Sequence, residues 1–370
     1  RPPLSKAILL GEADDSTLAA DWDALDVELR LDCRATELRA GGDARAGGVL
    51  DTELGEVEFD QLVLASGALP VTLPGTERYE QVRTLRTIDD ALRLRAAFRD
   101  RPRVVIVGAG WIGAEVATAA ARAGCQVHVV EALPAPLAGA LPAEIGRLTA
   151  GWYEQAGIEL TVGTRVQAVD ETSVVLSGGR VVDADLVVIG IGVRPATDWL
   201  AGSGLARDAA GAVLTDAYLR TTTPSVYAVG DCAAWHSRRY GIRLHIEHWD
   251  VALRAPSVVA ANLLGAEQAY DPVPYFWSEQ FGRMVQYAGH HPAGDRIIWR
   301  GDPSADAAGG SGTDPAGWTA CWLSGDRLVA VLAVNRPRDL TQGRRVMLND
   351  LQIDADWLAD PAVSIKDATC

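Results

Sequence analysis

Three glycines and one acidic residue form the clearest chemical pattern in the sequence. Gly108, Gly110 and Gly113 have the G-x-G-x-x-G spacing and lie between a β-branched run and an alanine-rich segment. A strand, a tight turn and a helix in this order present free helix N–H groups to a pyrophosphate. Glu131 ends the next apolar run, where an acid that binds both ribose hydroxyls is expected. The pattern predicts a dinucleotide site that prefers NADH, since a carboxylate would repel the 2′-phosphate of NADPH.

Each glycine of this motif has its own physical reason. Gly108 makes the turn, Gly110 lets the backbone approach the pyrophosphate, and Gly113 lets the helix pack close to the strand. The alternative is a glycine-rich joint that binds nothing. Because the strand, the helix and the terminal acid all agree with the motif, the sequence favours a ligand.

Three further apolar runs end in small residues, as strands that deliver backbone to a ligand do. Val57–Leu64 is predicted to be one strand and leads into the turn Ala65–Gly67. Leu186–Ile191 leads into Gly192, and the run ending at Val229 leads into Gly230 and Asp231. Ligands of open α/β sheets bind at the carboxyl ends of the strands. These segments are therefore candidates for ligand binding, and an ordinary loop is the alternative for the turn after Leu64.

Composition narrows the class of protein. A chain of 370 residues is long enough for two or three domains. Its net charge of −15 argues against nucleic acid as a partner. There is no apolar run long enough to span a membrane. The cysteines are odd in number and have neither disulfide-framework nor metal-site spacing, which indicates free thiols, no metal and a cytoplasmic location. They are Cys33, Cys125, Cys232, Cys321 and Cys370.

Four separated signatures carry a resemblance over essentially the whole chain. They are PPLSK at Pro2–Lys6, VGAGWIGAE at Val107–Glu115, YAVGDCA at Tyr227–Ala233 and YFWSEQFG at Tyr275–Gly282. In this combination the sequence resembles the FAD-dependent NADH:ferredoxin reductases of the pyridine nucleotide-disulfide oxidoreductase superfamily. These flavoproteins pass electrons from NADH through FAD to a small 2Fe–2S ferredoxin, or a similar carrier, that serves an oxygenase.

The resemblance implies an α/β fold with two Rossmann-like domains, the NAD domain inserted in the FAD domain, and a C-terminal α+β domain. The FAD domain would comprise residues 1–100 and 215–270, the NAD domain 101–214 and the last domain 271–370. The family's first G-x-G-x-x-G motif would precede Pro2. We therefore expect the sequence to lack the N-terminal part of its protein.

Site residues follow from the same resemblance. Lys6 would lie near the flavin N5 and pair with Glu115, a carboxylate in an apolar helix that needs a partner. Asp231 would bind the ribityl chain, and Trp277 would cover the flavin edge that faces the ferredoxin. The remaining cofactor contacts would come from Ala35, Ala65, Gly67, Arg86, Gly108, Gly110, Ile112, Gly113, Glu131, Gly192, Glu247 and Trp249.

Two alternatives remain open at this point. A flavin disulfide reductase or thiol-dependent NADH oxidase needs a redox cysteine beside the flavin, and the segment after Lys6 contains none. An NADH-responsive flavoprotein resembling the apoptosis-inducing factors would act mainly by binding. For ferredoxin docking, the arginines of the last domain are candidates because ferredoxins are usually acidic. They are Arg336, Arg338, Arg344 and Arg345.

Overall fold

The computed structural model describes residues 2–41, 47–304 and 317–370. They form two compact units. The first contains the described parts of Arg1–Ser16, Pro70–Gly192 and Tyr275–Cys370, and the second contains Thr17–Leu69 and Val193–Pro274. No helix within the described ranges is long and apolar enough to cross a membrane.

The first unit contains an N-terminal helix at Leu4–Ile8 that winds as a π-helix. The α-helices of the described residues are α1 (Ile88–Phe98), α2 (Trp111–Arg122), α3 (Ala143–Gln155), α5 (Pro337–Leu348) and α6 (Ala355–Ala359) in the first unit and α4 (Trp249–Leu263) in the second. The strands are β1 (Ala35–Ala40), β2 (Gly48–Thr52), β3 (Gly55–Phe59), β4 (Leu62–Leu64), β5 (Ala68–Pro70), β6 (Val82–Arg83), β7 (Arg103–Val107), β8 (Gln126–Val130), β9 (Glu159–Thr161), β10 (Val166–Val169), β11 (Ser173–Leu176), β12 (Val181–Asp183), β13 (Leu186–Ile189), β14 (Val193–Pro195), β15 (Val213–Thr215), β16 (Val226–Ala228), β17 (Ala233–Ser237), β18 (Ile242–His245), β19 (Tyr275–Gln280), β20 (Arg283–Gly289), β21 (Arg296–Arg300), β22 (Trp318–Ser324) and β23 (Arg327–Val334).

A five-stranded parallel sheet carries the glycine motif. Its strand order is β6-β13-β7-β8-β9. The central strands β7, β8 and β13 are buried runs of Val, Ile and Leu, as expected of strands covered on both faces. Helix α2 leaves β7 at the glycine turn and packs on the sheet through small buried side chains such as Ala114 and Ala117. These alanines allow the helix to lie close to the strands.

The C-terminal part of the first unit is an antiparallel sheet of five strands in the order β19-β20-β23-β22-β21. Helix α5 packs on it at Gly343, where a Cβ would lie 2.7 Å from a Val331 methyl carbon. The edge strand β19 also contacts helix α2. One strand therefore joins the antiparallel sheet to the helix that follows the glycine motif.

The second unit contains three small sheets, β1-β2-β3, β4-β16 and β15-β17-β18. Strands β4 and β16 are parallel, and helix α4 packs near the short turn Gly230–Cys232 that follows β16. The predicted α/β class with an additional C-terminal antiparallel sheet is thus confirmed.

One local prediction was wrong. The segment Val57–Leu64 is not one strand, because β3 pairs with β2 and β4 pairs with β16 in a different sheet. The residues between them turn the chain from one sheet to the other.

Candidate functional site

The glycine turn has the geometry of a dinucleotide site. Gly108 has φ +103°, which favours glycine. A Cβ on Gly113 would lie 2.0 Å from the Gly108 carbonyl oxygen, so this position packs helix against turn. A Cβ on Gly110 would meet no atom within 4 Å. The chain thus leaves open space where a pyrophosphate would approach the helix N-terminus, and these residues fit the cofactor.

Glu131 braces this turn. Its Oε2 accepts the Ala109 N–H at 2.6 Å and its Oε1 accepts the Leu133 N–H at 2.7 Å. Each carboxylate oxygen has more than one acceptor direction, so both can still bind a ribose hydroxyl. Ile112, in the first turn of α2, leaves 43% of its surface exposed beside the motif. Glu131 therefore has two functions available, to hold the loop and to bind a sugar.

Lys6 and Glu115 meet in the first unit. Lys6 Nζ lies 2.9 Å from Glu115 Oε1, and the two side chains are 13% and 3% exposed. Ser5 donates its hydroxyl to Glu115 Oε2, and Ser278 donates to Oε1 at 2.6 Å. Charge-assisted hydrogen bonds of this kind stabilise a buried carboxylate. The Lys6 ammonium group is therefore held by a Glu115 carboxylate that also accepts hydrogen bonds from Ser5 and Ser278.

Trp277 also lies close to Lys6. The lysine Nζ is 5.8 Å from the centre of the indole ring, within reach of a cation–π interaction. Trp277 stacks on Tyr275 with ring centres 6.1 Å apart, and the Arg344 guanidinium lies 4.6 Å over the Tyr275 ring. The Glu115–Lys6 ion pair, the two stacked rings and the Arg344 guanidinium thus form a row that ends at helix α5.

A cavity of about 230 Å³ opens beside this pair. Its charged lining, apart from the pair itself, is Arg122, Glu279 and Arg283. Thr118 also lines it, with its hydroxyl bonded to the Ala114 carbonyl and accepting the Phe281 N–H. The Glu115 carboxylate therefore borders a polar space in the first unit.

The second unit holds other predicted contacts. Asp231 is 3% exposed and follows the carboxyl end of β16. His245 Nε2 lies 2.9 Å from the Asp231 carbonyl oxygen and 3.7 Å from Glu247 Oε1, so it links these two residues. Trp249 begins helix α4 with 38% of its surface exposed. Burial lowers the pKa of His248, which precedes that helix, to about 4, so its imidazole is neutral near pH 7.

The other predicted contacts are backbone positions or lie at element ends. Ala35 opens β1, and Ala65 and Gly67 form the turn after β4, where Gly67 has φ +70°. In the first unit, Arg86 donates its N–H to Asp90 Oδ2 at 3.0 Å, and Gly192 has φ +110°. None of these positions is brought into the Lys6–Glu115 cluster by a described hydrogen bond.

Several residues of the cluster were missed from sequence. Ser5 and Ser278 both contact Glu115, and Gln280 Nε2 donates to Ser278 Oγ at 3.0 Å. A single serine creates no sequence periodicity that would mark it as a partner of Glu115. Ser5 and Ser278 are also 110 and 163 residues away from Glu115 in the sequence. Both serines do stand inside two of the signature segments, which was the available clue.

Comparison with known proteins identifies the family. Residues 1–255 match the pyridine nucleotide-disulphide oxidoreductase family model, and residues 275–369 match the reductase C-terminal model. The ferredoxin–NAD(+) reductase component of the anthranilate 1,2-dioxygenase system of Burkholderia cepacia is 33% identical, over 99% of this chain and 89% of that protein. The chain belongs to the NADH-dependent ferredoxin reductases.

Two solved structures agree with this membership. The crystal structure of Fdr9 is 44% identical with a TM-score of 0.87, covering 99% of this chain and 89% of that one. The covalent putidaredoxin reductase–putidaredoxin complex is 29% identical with a TM-score of 0.85, covering 99% and 88%. The NADH-dependent ferredoxin reductases are FAD flavoenzymes, which confirms the predicted enzyme class and cofactors.

Proposed function

We propose that this chain passes electrons from NADH through FAD to a small 2Fe–2S ferredoxin that serves an oxygenase. The observation that carries the proposal is the buried Lys6–Glu115 pair, which is assembled beside Trp277 in the same unit as an open glycine turn. When bound, FAD accepts a hydride and releases electrons one at a time. The residues of the chain supply position and charge.

Glu131 and the glycine turn would hold NADH. The N-terminus of α2 presents unbonded N–H groups and the positive end of its dipole to a pyrophosphate. Gly110, the N-cap, has no side chain that could occupy this space. Glu131 would select NADH over NADPH by accepting from the ribose hydroxyls.

Lys6 would place a positive charge at the flavin, with Glu115 holding its ammonium group in position. Asp231, Glu247 and Trp249 would bind FAD, with backbone contacts from Ala35 and the Ala65–Gly67 turn. Arg86, Gly192 and Trp277 would make further cofactor contacts. In domain terms, residues 1–100 and 215–270 would bind FAD, 101–214 NAD, and 271–370 would form the reductase domain.

Docking of an acidic ferredoxin is the second part of the proposal. Arg344 lies over the Tyr275 ring, which stacks on Trp277, and its Nε is buried with no hydrogen-bond partner among the described residues. Arg345, beside it, is exposed. A carboxylate of the partner could bind Arg344 and Arg345 and so rest above the aromatic rings.

The decisive experiment is an anaerobic titration of the full-length flavoprotein with NADH, followed by turnover with a 2Fe–2S ferredoxin. We expect prompt bleaching of the flavin, weaker bleaching with NADPH and ferredoxin reduction that slows at high salt. Glu115→Gln should slow the bleaching. If NADH is held without ferredoxin turnover, the chain acts mainly by binding and the reductase proposal fails.

Charge reversal tests the docking surface separately. In Arg344→Glu/Arg345→Glu, we expect a raised KM for ferredoxin, a weaker dependence on salt and unchanged flavin bleaching by NADH. An unchanged salt dependence would remove these residues from the docking surface.

The free cysteines agree with a reducing compartment, and we propose a cytoplasmic location, which cell fractionation tests.

A further inference from the structure

The Glu115 carboxylate joins three segments that are distant in sequence. It lies on α2, Ser5 and Lys6 come from the N-terminal helix, and Ser278 comes from β19. Ser278 is fully buried and Glu115 is 3% exposed. The charge of this carboxylate is therefore balanced by specific partners rather than by bulk water.

Ser278 is itself oriented by a second side chain from the same strand. Ser278 and Gln280 are two residues apart and face the same side of β19, and Gln280 is 1% exposed. Gln280 Nε2 donates to Ser278 Oγ at 3.0 Å. A hydroxyl has one proton to donate, and with an incoming donor at its oxygen that proton points to Glu115. Hydrogen bonds linked in this way strengthen one another.

We propose that Ser278, oriented by Gln280, is a positioning residue that fixes Glu115 and, through it, the ammonium group of Lys6. The inference rests on the proposed role of the Lys6–Glu115 pair. It assigns to the C-terminal strand β19 a part in setting the charge at the flavin. The strand would do this besides placing Trp277 within reach of Lys6.

Three other charged side chains line the cavity beside the Glu115 carboxylate. Arg122 of the same helix, Glu279 of β19 and Arg283 of β20 line the neighbouring cavity. Arg122 and Glu279 are exposed, and Arg283 is bonded to the Phe281 carbonyl oxygen and to Gln155. Among the described ion pairs, the cation at Glu115 is Lys6. Within those ion pairs, no second cation could therefore replace the hydrogen bond that Ser278 donates to Glu115.

The test is a double-mutant cycle in the full-length flavoprotein. Ser278→Ala removes the donor, Ser278→Cys refills its space with a weak donor, and Ser278→Thr restores a hydroxyl. Thr149→Val is the matched control, because it removes a buried hydroxyl of helix α3 that bonds the Gly146 carbonyl oxygen of the same helix. Ser278→Ala is also made in the Glu115→Gln background.

The free energy of a hydrogen bond to a charged group corresponds to a factor of about tenfold to a hundredfold in an equilibrium or rate constant. We expect Ser278→Ala and Ser278→Cys to slow flavin reduction at saturating NADH by that factor, with KM for NADH nearly unchanged. The flavin midpoint potential should become more negative, because a less firmly held ammonium stabilises the reduced ring less. Ser278→Thr should restore both values, and Thr149→Val should alter neither.

In the Glu115→Gln background, Ser278→Ala should have no further effect on rate or potential. An equal effect in both backgrounds, or none in either, would overturn the inference. The proposed role of the pair is tested on its own by Glu115→Gln alone, which must change the rate or the potential. Flavin content and the unfolding midpoint of each variant separate these outcomes from a loss of folding.

Discussion

Alanine at two neighbouring glycines should separate folding from cofactor binding. A Cβ on Gly113 would lie 2.0 Å from the Gly108 carbonyl oxygen and 3.1 Å from its carbon, and real Cβ atoms essentially never come closer than 3.0 Å. Helix or turn must therefore move by about 1 Å (3.0 − 2.0). Both contacts are backbone and cannot rotate away. Overpacking of this kind costs about 1–3 kcal/mol, so Gly113→Ala should lower the free energy of unfolding by that amount.

Gly110 differs from Gly113 because its Cβ would point into open space. The residue has φ −75°, which any side chain adopts, and no atom lies within 4 Å of the added carbon. Gly110→Ala should therefore cost less than about 1 kcal/mol of stability, mainly through the N-cap preference. Its methyl group would occupy the space of the pyrophosphate. We expect NADH affinity to fall by at least about tenfold, or ~1.4 kcal/mol.

The assay pairs urea unfolding with NADH titration of both variants and the parent protein. Gly113→Ala should lose stability, and Gly110→Ala should lose NADH affinity at nearly parental stability. A stable Gly113→Ala variant, or a Gly110→Ala variant that binds NADH normally, would refute the assignment of these two positions.

Three further predictions concern other residues. Glu131→Ala should raise KM for NADH and lower the ratio of kcat/KM between NADH and NADPH, and a ratio unchanged in steady-state assays would remove this residue from cofactor selection. Arg300 is 1% exposed, pairs with Asp339 and donates to the carbonyl oxygens of Leu358, Asp360 and Val363. Arg300→Met should therefore lower the free energy of unfolding in urea by about 3–5 kcal/mol, because it removes the buried partner of Asp339 and the donor to these carbonyl groups, whereas exposed Arg296→Met should change little. Burial lowers the pKa of His248 to about 4. As the pH falls, the His248 imidazole therefore takes up a proton in the unfolded chain before it does so in the folded chain. The free energy of unfolding should fall by about 3 kcal/mol as the pH drops from about 6.5 through about 4. His248→Gln should remove that part of the pH dependence, and a parental pH profile would contradict it.

The local arrangement of elements could be predicted from sequence. The glycine spacing, the strand before it and Glu131 lie within one βαβ segment, so the order of strand, turn, helix and strand is readable from about thirty residues, and the roles of these residues in cofactor binding stay predictions. Contacts between segments that are distant in the sequence could not be predicted from local patterns. A buried glutamate in an apolar helix showed that Glu115 needs a partner, but nothing local to Ser5 or Ser278 revealed that each would supply one. Likewise, the split of Val57–Leu64 depends on which sheet offers a pairing edge, which is a tertiary property.

The meeting of three segments at Glu115 also limits how such reductases can be recombined. Exchange of the last domain with that of a relative is attractive for engineering new ferredoxin partners, because that domain carries Trp277 and Arg344. The exchanged domain also brings its own residue at position 278 against a resident carboxylate. A chimaera that places an apolar side chain there would leave the anion short of a donor although every domain folds. Successful grafts should be those in which the incoming strand keeps a hydroxyl at this position.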